Sequence, residues 1–427
     1  MKKSWFTGIA LITVYRFVLG FAFTNFVMPV YASDAQYAKH GDMNTAKTWV
    51  GYAVVWFCLA LFGTMREDAP VSRFVMFLQL LMVVVPFTVL FGAQDLPAWY
   101  MGTMVFGYAS TIAAARWIPV IHFPRPSDTT RLVLACVMVA ITAYVYLGLI
   151  ATGGFSHMNI NLDDVYEYRD IYTENMLLGF GYFVPWIAYI FNMAWLVSAL
   201  RRKSIVEICI VMLLQLLIFA MTNFKSFLLV PFAVIGTVSI IRKGEFRRTL
   251  IVGTTCVLLG LCGLSAIGKS LGPALLNRMF FVPAALHGLY FDYFSNHAKS
   301  LMGGSPIGSL LGSSYSESSV YVVSQEYWGR YFSPNVGWIG DAYANFGIYG
   351  VGISAIVLGA VLRMADGFAE RLEPPGAEGI MVGPTLALCS SALGTVLLTH
   401  GLAMGLIVLW IFKNAPVSRR RAQPVRA

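Results

Sequence analysis

Long apolar runs, each bounded by charged or polar residues, constrain this chain more than any other feature. They measure about 16 to 25 residues, the length a helix needs to cross the hydrocarbon core of a bilayer. The runs lie near 5–30, 49–65, 74–93, 98–115, 132–150, 177–200, 204–222, 226–241, 249–268, 338–362, 380–397 and 400–413. Their number predicts an all-α polytopic membrane protein of about twelve transmembrane helices, with residues 380–413 short enough to form a re-entrant or kinked pair instead. Composition agrees, with 58% apolar and only 12% charged residues among 427. A soluble domain carries about a quarter charged residues. Lys2 and Lys3 precede a first run too long for a cleavable leader, so that run reads as a span.

The basic residues set an expected orientation. With the N-terminus inside, the inner loops take 21 of the 30 Lys and Arg and the outer loops take 8, leaving Arg16 inside the first run. That bias predicts cytoplasmic termini. The net charge of +9 is then a topology signal and not a footprint for nucleic acid, and the tail Arg419-Arg420-Arg421 meets anionic head groups of the bilayer. All six cysteines, from Cys58 to Cys389, fall inside the runs, where they act as small apolar residues. Arg16 lies mid-span and calls for a partner or a water-filled cavity, with structural pairing the simpler expectation.

The polar chain is concentrated outside, in one loop at 151–176 and a larger one at 269–337. The first carries Arg169 among Asp163, Asp164, Glu167, Asp170 and Glu174, flanked by Tyr166, Tyr168 and Tyr172. Arg169 is either a local counter-ion or a fork presented to an anionic ligand. In the second, residues 274–294 are rich in Phe, Tyr and Leu, and read as an interfacial helix broken near Pro283, with Arg278, His287 and Asp292. Residues 303–319 are Gly/Ser-rich and read as mobile. Glu326, Trp328, Arg330 and Tyr331 follow at the membrane edge, with Lys269 and Asp341 at the two loop ends. The aromatics alone are an ordinary interfacial belt.

Several chemistries are not legible. There is no HExxH, no Cys/His spacing for a metal, no phosphate-binding glycine loop and no Asp-x-Asp. No metal and no cofactor is expected.

The layout resembles the bacterial oligosaccharide repeat-unit polymerases, also called O-antigen or Wzy-type polymerases. The local matches are YEYRDIY at 166–172, NRMFFVPAALHGLYFDYF at 277–294 and GDAYANFGIYG at 340–350. Some members place a Gly after ten residues beyond the loop Arg; here nine separate Arg169 from Gly179 and Arg278 from Gly288, as they do Arg330 from Gly340. The resemblance implies a GT-C-like, metal-independent glycosyltransferase of the inner membrane, with the large periplasmic loop carrying interfacial helices. It would join undecaprenyl-diphosphate-linked donor and acceptor oligosaccharides at the periplasmic face, with a chain-length regulator as a possible partner. On that reading Arg169 and Arg278 stabilise the diphosphate leaving group, because a guanidinium matches phosphate bidentately. His287 or Asp292 then supplies the base. Tyr168, Tyr172, Lys269, Arg330, Glu326 and Asp341 line the substrate. An O-antigen ligase has similar architecture, but His287 followed by Gly-Leu-Tyr departs from its His-centred stretch. A non-enzymatic flippase predicts paired halves, and none is visible.

Overall fold

The computed structural model describes residues 2–38, 43–159, 165–242, 246–268, 270–370, 372–373 and 375–413. Among them every regular element is helical. Nine helices are long and apolar enough to span a bilayer: Trp5–Tyr31, Thr45–Gly63, Pro70–Ala93, Asp128–Ala151, Phe180–Arg202, Ile205–Thr222, Phe246–Ala266, Trp338–Ala369 and Leu393–Phe412. The chain is therefore a multi-pass membrane protein. Two further expected spans form as helices, Ala98–Trp117 and the shorter Lys225–Ile241. Polar Thr103, Tyr108 and Thr111 on the first of these are buried against neighbouring helices. The Asp128–Ala151 helix shows the opposite condition. Only Val145, Gly148 and Leu149 are buried, while Leu132, Val139 and Leu147 are exposed, as suits a helix facing lipid.

Four helices contain a single π-turn, at Phe23–Val27, Leu80–Val84, Ile187–Phe191 and Asn277–Phe281. Pro29, Pro86 and Pro283 each follow one of them within two residues. A proline offers no N–H to the carbonyl four residues back, which lies inside the turn, and its ring pushes that carbonyl outward. The widened turn absorbs the conflict and the helix continues.

Residues 376–412 differ from the two spans expected at 380–397 and 400–413. Gly376–Leu388 rises about 20 Å at 1.5 Å per residue, less than a bilayer core. Leu393–Leu398 is a short turn of helix, and Leu402–Phe412 returns. Both feet are at the same end of the bundle. Glu373 pairs with Arg201 at 2.8 Å, and Lys413 reaches Glu370 at 3.3 Å and the Gly367 carbonyl at 2.9 Å. The segment is thus a hairpin with its turn at residues 389–401, where Cys389 packs against Gly337 at the start of the Trp338 helix.

At the foot end, Asp366 and Arg363 form an ion pair at 3.0 Å, and both are buried. Asp366 also accepts from the Val71 and Ser72 amides, each at 3.0 Å, and from the Ser72 hydroxyl at 2.5 Å. It caps the helix that begins at Pro70. Arg363 Nε donates to the Ile118 carbonyl at 3.0 Å, so one pair ties three helices. Arg16 is likewise paired within the bundle. It donates to Thr88 Oγ1 at 3.0 Å and to the Thr88 carbonyl at 2.9 Å, and stacks 3.9 Å from the Tyr52 ring.

Residues 270–337 gather at the other end, here the loop end. The expected interfacial helix of 274–294 is a correction. Leu271–Leu276 passes through its π-turn into Val282–Asn296, where eleven of fifteen residues are buried, so protein encloses it on nearly all sides. Pro283 leaves a widened turn and no break. The Gly/Ser-rich stretch is bonded in place. Ser305 caps Pro306–Leu310, and the Ser313 hydroxyl donates to the Ser300 carbonyl at 2.7 Å. The Trp338–Ala369 helix kinks at Gly347, whose φ of +62° and ψ of −150° suit only glycine. The kink frees the Ala344 and Asn345 carbonyls, which accept from the Ser300 and Leu301 amides at 2.8 and 3.2 Å. Leu301 and Met302 both take left-handed φ there, at 48° and 61°, a strained conformation for side-chain-bearing residues.

Candidate functional site

Three helix termini converge at the loop end on one carboxylate. Asp292 lies near the end of Val282–Asn296 and is half-buried. Its Oδ1 accepts from the Tyr100 hydroxyl at 3.1 Å, at the start of Ala98–Trp117. Its Oδ2 accepts from the Tyr327 hydroxyl at 2.5 Å, at the end of Ser319–Trp328. Burial first, and then Asp292 itself, push the Tyr327 hydroxyl above the ordinary tyrosine range. Tyr327 therefore keeps its proton and stays a donor. Charge-assisted bonds of this type fix a carboxylate's direction.

Aromatic rings cluster near the carboxylate. Trp99, 40% exposed, packs 5.7 Å from Tyr343, and Tyr343 packs 5.1 Å from Phe291. The Lys299 ammonium stands 4.2 Å from the Tyr343 ring and also donates to the Phe294 carbonyl, the free end of the Asp292 helix. One turn along the Trp338 helix, Asp341 accepts from Asn345 Nδ2 at 3.2 Å. The arrangement is a directed carboxylate on a helix whose neighbouring rings, Trp99, Tyr343 and Phe291, pack against one another beside it.

The sequence-derived candidates divide around this centre. Asp292 is at its middle, Asp341 and exposed Glu326 stand at its border, and Arg330 is exposed 5.1 Å from the Phe332 ring. His287 is on the same helix but only 1% exposed. Its Nδ1 lies 2.6 Å from the Pro283 carbonyl, and burial pushes its imidazole down to about 4. It is neutral and enclosed near Cys389 and Gly337, a packing and not a surface position. Arg169 is half-buried, 5.6 Å from the Phe224 ring, on a helix that packs against Ile205–Thr222. Tyr172 packs edge-on to the same Phe224 at 6.0 Å, and Tyr168 is half-buried beside it. Arg278 is exposed on the π-turn at 277–281, which packs against the π-turns at 23–27 and 80–84. Arg169 and Arg278 thus sit on different parts of the bundle. Lys269 lies outside the described residues, as do Asp163, Asp164 and the Arg419 cluster.

Sequence reasoning missed Tyr100, Tyr327 and Lys299. It also missed a second polar locus at the hairpin tip. His400 Nε2 is 3.1 Å from Ser391 Oγ, its ring is 5.7 Å from Tyr189, and its Nδ1 is buried without a partner. Tyr189 donates to Ser226 Oγ at 2.8 Å. The signal available was a His between two apolar runs in LLTHGLAMG. Among the described residues no group of three His, Cys, Asp or Glu is placed to hold a metal ion.

No family model matches the chain, and neither a curated protein nor a solved structure matches it.

Proposed function

We propose that this protein is a glycosyltransferase that polymerises undecaprenyl-diphosphate-linked repeat units at the periplasmic face of a bacterial inner membrane, with both termini cytoplasmic. The observation that carries the reading is the Asp292 carboxylate, directed by Tyr100 and Tyr327 next to a cluster of aromatic rings that includes half-exposed Trp99. A sugar acceptor needs a carboxylate that points one way and flat faces on which its ring can stack. Asp292 would take the proton of the attacking hydroxyl. The donor needs cations where charge develops on the departing diphosphate, and Arg169 and exposed Arg278 would supply them. Their placement on different helices assigns them to different parts of a long lipid-linked ligand, or to a conformation in which the loops approach each other. A GT-C-type architecture and a chain-length regulator partner belong to the same proposal.

One observation favours a second reading, a flippase for the lipid-linked glycan. The hairpin arm broken at 399–401 brings irregular backbone and His400 into the bundle interior, as broken helices do in transporters. The two readings separate in the host. Asp292→Asn, Arg169→Ala and Arg278→Ala, at matched expression, are expected to leave surface glycan with single repeats in place of long chains. Loss of a transfer-stabilising group costs about 10²–10³ in rate. Absence of all surface glycan in these variants and in His400→Ala would favour the flippase. Long chains of normal length from all three loop variants would refute the polymerase site.

A further inference from the structure

At the foot end of the bundle, opposite the loop end, three arginines share one cavity. It measures about 210 Å³ and is lined by Trp5, Gly8, Arg73, Phe246, Arg247 and Arg248. Four helices build it: Lys2–Ala22, Thr45–Gly63 through Leu59, Pro70–Gln79 and Phe246–Ala266. Arg247 and Arg248 make no hydrogen bond or ion pair with any described residue, and Arg73 bonds only the Glu67 carbonyl, at 3.5 Å. The Nε of Arg73 is buried with no partner. No described carboxylate lines the cavity.

Guanidiniums this close repel one another; Arg73 and Arg247 are half-buried while Arg248 is exposed, and the described carboxylate acting on Arg73, that of Glu67, lies outside the cavity lining. A native fold tolerates this where an anion completes the site. We propose that this cavity binds a phosphoryl group, supplied by the head group of an anionic membrane lipid. Guanidinium forks match phosphate oxygens bidentately, which a carboxylate would satisfy with fewer acceptors. The lipid source follows from the walls. Trp5 stands at the rim in the position of an interfacial anchor. Phe6 and Phe17 on the same helix are 68% and 64% exposed toward the surrounding lipid. The head group would enter the cavity while its acyl chains run down that apolar face. The site is distant from the Asp292 centre and does not depend on the glycosyltransferase reading.

The test uses the full chain in nanodiscs of phosphatidylcholine with a minority of phosphatidylglycerol, and native mass spectrometry of lipid retained after mild delipidation. The wild type is expected to retain phosphatidylglycerol in preference to phosphatidylcholine. The pair R247Q/R248Q should retain about tenfold less, the loss of one or two charge-assisted bonds. R116Q removes an exposed arginine at the same end, outside the cavity, and should retain as much as wild type. A parallel arm adds inorganic phosphate to detergent-purified protein and follows thermal unfolding. Stabilisation by phosphate that R247Q/R248Q lacks, without lipid preference, would keep the phosphoryl site and assign it to free phosphate. A wild type with neither lipid preference nor phosphate stabilisation overturns the proposal, whatever the variants do. So does an R116Q loss equal to that of R247Q/R248Q.

Discussion

Replacing Asp366 by Leu should destabilise the protein more than replacing Asp366 and Arg363 together. Asp366 takes four hydrogen bonds, from the amides of Val71 and Ser72, the Ser72 hydroxyl and Arg363 Nη1. With Asp366→Leu alone, the 0% exposed Arg363 keeps its charge and retains, among the described residues, only the Ile118 carbonyl as an acceptor. Breaking a buried pair in this way costs about 3–5 kcal/mol. In Arg363→Met/Asp366→Leu no charge is stranded, and what remains is a lost helix cap and an orphaned hydroxyl, about 1–2 kcal/mol. The double variant should therefore be the more stable by about 2 kcal/mol. The assay is the fraction of protein still monodisperse on size exclusion after a heating series in one mild detergent. A double variant no more stable than Asp366→Leu would refute the account, because it would mean that Arg363 holds its helices without its partner.

Arg16→Met should lower stability while leaving the transfer reaction intact, since Arg16 is fully engaged with Thr88 and Tyr52; abolished activity at normal folding would instead mark a proton or ligand path. Gly92→Ala should destabilise by about 1–3 kcal/mol as an overpacking change, because its Cβ would meet the Thr48 Cα at 2.7 Å; an unchanged melting midpoint would contradict that close approach. His287, held down to about 4, binds its proton in the unfolded chain first as pH falls. Stability should therefore drop between pH about 6.5 and about 4, by at most about 3 kcal/mol, and His287→Gln should flatten unfolding midpoints measured across pH 7 to 5; an unchanged slope would argue against the buried neutral ring. Polymerisation should survive EDTA, and rescue of a chelated, inactive protein by magnesium or manganese would show a metal requirement.

Hydropathy carried most of the fold, because a lipid-facing helix must be apolar along its whole length and Asp128–Ala151 is so. It failed at Val282–Asn296. There His287 and Asp292 made the segment look surface-bound, whereas its neighbours bury it and supply the partners of Asp292; only Arg278, on the π-turn before it, is exposed. At 376–412, read as two short spans or a kinked pair, the first arm Gly376–Leu388 is shorter than a bilayer core and the second, Leu393–Phe412, is long and apolar enough to cross. Of the site, Asp292 was legible as a carboxylate in a polar loop. Its two phenols were not, because Tyr100 and Tyr327 stand 192 and 35 residues away from it, and no local pattern encodes their meeting.

The hairpin at 376–412 bears on the order in which the protein is made. Its socket is formed by the Pro70, Phe180, Lys225 and Trp338 helices, all synthesised earlier. Gln79, which donates to the Thr385 carbonyl at 3.2 Å, and Tyr189, which crowds Gly383, both wait on the hairpin's arrival. Until residue 413 leaves the ribosome, the Gln79 amide lacks its acceptors on the hairpin, whereas the Tyr189 hydroxyl already has Ser226. A nascent chain stalled before residue 376 should thus expose a polar flank within the bilayer, a feature by which membrane quality control can tell an unfinished copy from a completed one.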